Sequence, residues 1–147
     1  MEVSMIERPY YLEKLIRAKG NGFPKVITGL RRCGKSYLLG VIFVDYLERE
    51  GIDEKHILVL ELDDASNAKY RDPLNLLDHV IERTKSEGTH YVILDEIQEV
   101  YPIVNPELTG GLHQKAKDGD DDIISFVDVV LALSRRKNLD VYVTGSK

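Results

Sequence analysis

The stretch Gly29-Leu-Arg-Arg-Cys-Gly-Lys-Ser36 constrains what this chain can fold into more than any other. It has the form Gly-x-x-x-x-Gly-Lys-Ser and sits between an apolar run, Pro24 to Thr28, and an amphipathic stretch, Lys35 to Arg49. Each fixed position has a physical purpose in a loop joining a strand to a helix. Gly29 lets the chain turn off the strand, and Gly34 lets backbone N–H groups close around a phosphate with no Cβ in the way. Lys35 reaches the β- and γ-phosphates as a mobile charge, and Ser36 offers a hydroxyl to magnesium. The helix that starts here aims its unpaired N–H groups and positive dipole end at the same anion. Four fixed positions coincide by chance in roughly one chain in a few hundred. With a strand expected before it and a helix after it, the stretch reads as a phosphate-binding loop for a nucleoside triphosphate with magnesium.

Within the loop, Leu30 and the following Tyr37 are counted with the nucleotide-contacting residues. Arg31 and Arg32 either contact phosphate oxygens as guanidinium forks or face solvent and pair with acidic neighbours. Cys33 is either a small filler of the loop or a redox-active thiol.

The rest of the chain alternates helix and strand. Tyr10 to Ala18 reads as a helix, with Tyr11, Leu12, Leu15 and Ile16 at helical spacing, and Gly20-Asn21-Gly22 ends it. Pro24 to Thr28 reads as a buried strand. The helix from Lys35 to Arg49 buries a stripe of Leu38, Leu39, Ile42, Phe43, Tyr46 and Leu47, and Gly51 stops it. His56 to Leu62 is a strand apolar on both faces, as a covered parallel sheet requires. Asp72-Pro73 reads as an N-cap and first-turn pair opening a helix to Lys85, with Leu74, Leu77, Val80 and Ile81 inward. His90 to Leu94 is a third strand. Tyr101 to Asp122 reads as a long loop, Ile123 to Arg136 as a helix and Leu139 to Val143 as a fourth strand. This order specifies an α/β three-layer αβα sandwich on a mostly parallel sheet, the P-loop NTPase architecture. A fourth strand with no covering helix after it reads as the front of a longer protein, so residues 1–147 are taken as one P-loop domain, C-terminally incomplete.

The third strand ends on Asp95-Glu96. After a P-loop, with one strand and helix intervening, an aspartate there is the metal-side ligand, and Glu96 is positioned to take a proton from an attacking water. The catalytic candidates are therefore Glu96 and Lys35, and the magnesium candidates Ser36 and Asp95. If the fourth strand lies beside the P-loop strand, Thr144 or Ser146 can bond the γ-phosphate or the attacking water. The alternative is a plain strand-to-turn transition.

Other features stay at background. His56, His79, His90 and His113 lack metal-ligand spacing. Asp63-Asp64 reads as a turn or cap, and Asp118 to Asp122 as a solvated loop. No Asn-Lys-x-Asp sequence for guanine occurs, which favours adenine. The net charge of −5 gives no support for broad nucleic-acid or anionic-membrane binding. The lone cysteine fits a reducing compartment, and with no signal-peptide core or membrane-length apolar run the expected location is the cytoplasm.

Three segments resemble one family. Ile27-Thr-Gly-Leu-Arg-Arg-Cys-Gly-Lys-Ser-Tyr-Leu-Leu39, Tyr91-Val-Ile-Leu-Asp-Glu-Ile-Gln-Glu99 and Asp140-Val-Tyr-Val-Thr-Gly-Ser146 are similar to the bacterial and archaeal AAA-type ATPases of the AAA_14 group, in which an N-terminal AAA domain precedes a DUF4143 region. Arg8 to Ile16 resembles that family's opening helix, and Phe126-Val-Asp-Val-Val-Leu also fits. The resemblance implies an ASCE/AAA-type core with Lys35 and Ser36 as Walker A residues, Asp95 and Glu96 as Walker B residues, and Thr144-Gly-Ser146 opening sensor 1. Lys147 stands where the family usually has asparagine. The expected function is an ATP-binding module that hydrolyses ATP with Mg2+. A nucleotide-binding switch without turnover and a P-loop small-molecule kinase are the rivals, although the arginine-rich lid such kinases need is missing from Tyr101 to Asp122. Expected partners are ATP and a homo-oligomer, with no membrane; the client, DNA or protein, is open.

Overall fold

The computed structural model describes residues 8–28 and 37–145. Helix α1, Arg8–Ala18, is followed by a turn in which Gly20 and Gly22 take positive φ, and then by β1, Lys25–Ile27. After the glycine loop, a π-helical segment Leu38–Phe43 runs into α2, Val44–Arg49. The stripe read from the sequence is the packed one, since Leu38, Leu39, Phe43 and Leu47 are all buried. Gly51, at φ 90°, ends the helix as expected.

Strand β2 is Ile57–Glu61, and Asp64 then caps a 3-10 segment, Ala65–Arg71, by accepting from Ser66 N–H. Helix α3 is Pro73–Arg83. Its N-cap is the expected Asp72, which accepts from Leu74 N–H and Asn75 N–H at 3.0 Å each. The buried positions are Pro73, Leu76 and Val80. Leu76 therefore takes the central place expected of Leu74 and Leu77, which are half-buried. Strand β3 is His90–Asp95, buried at every position.

The stretch expected to be a long loop is partly ordered into an arm. Within it, β4, Ile103–Val104, pairs antiparallel with β5, Ile123–Ile124. Two short β-branched pairs so far apart in sequence leave no periodic signal, and tertiary pairing decides the matter. The arm is tied to α3 where His113 Nδ1 lies 2.9 Å from Asp72 Oδ2. The same pairing shifts the next helix. Helix α4 is Phe126–Ser134 and does not begin at Ile123, because Ser125 and Asp128 form a capping box that fixes its start. Strand β6, Leu139–Thr144, follows.

Among the described residues, the main sheet is parallel and ordered β1-β6-β3-β2. Side chains alternate across it with period two. On one face, Leu58, Leu60, Val92, Leu94, Val141 and Val143 pack against Leu76 and Val80 of α3 and Val129, Val130 and Leu133 of α4. On the other, Tyr91, Ile93 and Tyr142 pack against Leu15 of α1, Leu38, Leu39 and Phe43 of the π-helical segment, and Leu47 of α2. The fold is thus the three-layer α/β sandwich expected of a P-loop NTPase. It positions a site because β1, which leads into the glycine loop, is separated from β3 by β6 alone.

Candidate functional site

The parallel register brings three strand ends together. Ile27 of β1 pairs with Thr144 of β6, and Leu94 of β3 pairs with Val143. Gly145 N–H donates to Ile27 C=O at 3.2 Å, which holds the end of β6 to the last residue of β1. Gly29 follows two positions later in the chain. Period-two alternation puts Asp95 on the face of Tyr91 and Ile93, and Thr144 on the face of Tyr142. That is the face covered by α2 and the segment leading into it, the helix that the glycine loop opens.

The acidic pair is built into this edge. Asp95 is 4% exposed and Glu96 1%. Thr144, fully buried, stands between them. Its hydroxyl donates to Asp95 Oδ1, and Glu96 N–H donates to Thr144 Oγ1 at 2.9 Å. Asp95 C=O also accepts from Leu62 N–H at 3.0 Å, so the end of β3 is tied to the residue after β2. At Glu96 the chain turns sharply, with φ 57° and ψ 55°. It is the single non-glycine residue with positive φ among the described residues. Such a conformation costs on the order of 1–3 kcal/mol and persists where the surroundings over-determine it. The surroundings here are the Thr144 hydrogen bond and the 3-10 turn Ile97–Glu99, closed by Glu99 N–H onto Glu96 C=O at 3.0 Å.

Gln98, in that turn, donates from Nε2 to Glu96 Oε1 at 2.7 Å. The sequence contains Asp-Glu-Ile-Gln, but nothing in its periodicity signals this contact, because it depends on the left-handed turn at Glu96. Gln98 also lies at the edge of an apolar cavity of about 380 Å³ between β1 and α4, lined by Val26, Ile97, Phe126, Val130 and Leu131 among others.

The structure therefore brings Asp95, Glu96 and Thr144 together and leaves Tyr37, 42% exposed, at the start of the helix that packs on the same face. The hydroxyl of Thr144 is engaged with the acidic pair, so in this structure it braces the Asp95 carboxylate and the backbone of Glu96. The expected nucleotide contacts Gly29, Leu30, Arg31, Arg32, Cys33, Gly34, Lys35 and Ser36 lie outside the described residues, as does Ser146. The donor set suits magnesium, a hard ion that takes one or two carboxylates together with phosphate oxygens. Asp95 supplies a carboxylate held rigidly at the sheet edge. Among the described residues no group of three or more His, Cys, Asp and Glu side chains is arranged to hold a metal ion. No helix among them is long and apolar enough to cross a membrane.

Residues 21–147 match the AAA_14 family, described as an AAA domain. An uncharacterized protein of Haemophilus influenzae is 38% identical over 101 residues, covering 68% of this chain and 25% of that protein. The chain thus matches about a quarter of the length of this curated relative. No solved structure matches it.

Proposed function

The chain belongs to the AAA_14 family of AAA domains, with the nucleotide-binding, P-loop ATPase-like function that membership carries, and from that premise we propose that it binds ATP with Mg2+ and hydrolyses it with Glu96 as general base. Residues 1–147 act in this reading as one ATPase unit. The observation that carries it is the buried Asp95–Thr144–Glu96 arrangement at the strand ends, one strand away from the strand that leads into the glycine loop.

The roles divide by chemistry. The backbone N–H groups of Gly29 to Ser36 and the Lys35 ammonium hold the phosphates, with Tyr37 beside them. Ser36 and Asp95 would hold Mg2+, which would supply charge neutralisation to the phosphates. Glu96 accepts the proton of the water that attacks the γ-phosphorus in line, the bond to the ADP oxygen breaks, and phosphate leaves. Thr144 ties the Asp95 carboxylate to the backbone of Glu96, so that metal ligand and base residue keep a fixed relation. In a buried site such fixed groups need no reorganisation as charge moves.

Two substitutions separate binding from chemistry. Lys35→Ala is expected to abolish binding of a fluorescent ATP analogue. Glu96→Gln is expected to keep that binding and lower turnover by about 10²–10⁴-fold, the usual contribution of a general base. Hydrolysis by Glu96→Gln at the parental rate would sink the assignment of the base.

A further inference from the structure

We propose that Gln98 is a positioning residue for hydrolysis: its side-chain amide fixes the Glu96 carboxylate, and turnover depends on that contact. The proposal rests on the reading of Glu96 as the general base. Three observations carry it.

The first is the geometry of the contact. Gln98 Nε2 donates to Glu96 Oε1 at 2.7 Å, within the range of charge-assisted hydrogen bonds, the stronger kind. The second is the mismatch in burial. Gln98 is an exposed residue, whereas Glu96 is 1% exposed. An exposed residue buries little apolar area by such a contact, so the contact bears chiefly on the buried carboxylate it reaches. The third is how the backbone aims it. Ile97 and Val100 are buried on either side of Gln98 and anchor the turn, and the left-handed conformation at Glu96 folds the turn back on itself. The side chain then lies across the strand ends, since a Cβ at Gly145 would stand 3.5 Å from Gln98 Oε1. Gln98 thereby bonds the residue after β3 and lies beside the residue after β6.

A glutamate side chain has several rotatable bonds, and a base must be held close to its productive geometry. Misplacement by an ångström can cost about 10²-fold in rate. Thr144 fixes the backbone of Glu96; the amide of Gln98 fixes its carboxylate. Removing that amide lets the carboxylate sample other rotamers while the phosphate-binding loop is untouched. The expected signature is a fall in kcat without a matching change in KM, as for an interaction that matters in the transition state.

The test is steady-state ATP hydrolysis by the parent chain, Gln98→Leu, Gln98→Glu, Glu96→Gln and the double variant Glu96→Gln/Gln98→Leu, with thermal midpoints alongside. Gln98→Leu is expected to lower kcat by about 10–100-fold with KM within about 2-fold and an unchanged midpoint. Gln98→Glu sets a like charge against Glu96 and is expected to lower kcat at least as far. Because Gln98 acts through Glu96, the double variant should be no slower than Glu96→Gln alone. Parental kcat in Gln98→Leu, with Glu96→Gln impaired, would overturn the role of Gln98 and leave the base assignment standing. A further loss in the double variant, as large as in the parent background, would also overturn it. Glu96→Gln at the parental rate, or a parent with no turnover above the buffer blank, would overturn the underlying reading and this inference with it.

Discussion

Strand β6 carries a buried carboxylate system at each end, and the two are built differently. Near its start, Asp140 is 4% exposed and is closed off within the fold. It pairs with the Lys25 ammonium, accepts from the Tyr142 hydroxyl at 2.7 Å, and accepts from Gly20 N–H at 2.9 Å. The Lys25 ammonium also lies 5.0 Å from the centre of the Tyr142 ring. Charge is balanced there by a neighbouring strand, and the cluster pins the α1–β1 turn to the sheet. At its other end, Thr144 gathers two consecutive acidic residues, Asp95 and Glu96, where β1, the strand before the glycine loop, also ends. A cluster neutralised from within is a fastener. The Asp95–Glu96 cluster is, in the reading proposed above, the one that works with Mg2+ and water.

The largest effect in this contrast should come from breaking the fastener. Lys25→Met leaves Asp140 charged and buried without its cation, at a cost of about 3–5 kcal/mol in urea denaturation. Adding Asp140→Leu should recover part of the loss but not all, because the Tyr142 hydroxyl and Gly20 N–H then lose their acceptor. Full loss in Lys25→Met with no recovery in the double variant would break this account of the pair.

Thr144→Val keeps the shape and removes the hydroxyl at the other end. It should cost about 1–3 kcal/mol of stability, the price of an unsatisfied buried partner. Turnover should fall as well, while Thr144→Ser retains both. A Thr144→Val chain of parental activity would put this cluster in the same class as the fastener.

The smallest effect is one of pH. Burial, followed by the hydrogen bond to Asp140, holds the Tyr142 phenol protonated well above its ordinary range. The folded state therefore keeps a proton that the unfolded chain gives up near pH 10, so the unfolded chain binds fewer protons in that region. This contribution to stability is fully present below about pH 10 and falls as pH rises past it. Denaturation midpoints followed through that range should decline in the parent and less steeply in Tyr142→Phe.

What could be read from the sequence divides along physical lines. Local signals held. The Asp72-Pro73 cap, the Gly51 stop and the Leu38-to-Leu47 stripe are fixed by residues within a turn or two of each other. The alternation of strands and helices gave the sandwich in the same way. Non-local pairings were invisible. The ion pair of Lys25 and Asp140 joins residues at opposite ends of the chain, and the β4–β5 arm depends on two dipeptides separated by a polar stretch. The site was half legible. Asp95-Glu96 stood out because an apolar strand ended on it after a glycine loop. The contacts of Thr144 and Gln98 did not, because they follow from the strand order and from the left-handed turn at Glu96.

The central claim is that one end of β6 serves stability and the other serves chemistry. Its most direct test measures urea midpoint and ATP turnover on the same preparations of Tyr142→Phe and Glu96→Gln. The account predicts a crossed result: Tyr142→Phe lowers the midpoint and, while folded, turns over like the parent, whereas Glu96→Gln keeps the midpoint and loses turnover. If both variants lose the two properties together, or Glu96→Gln loses only stability, the division between the two ends is wrong.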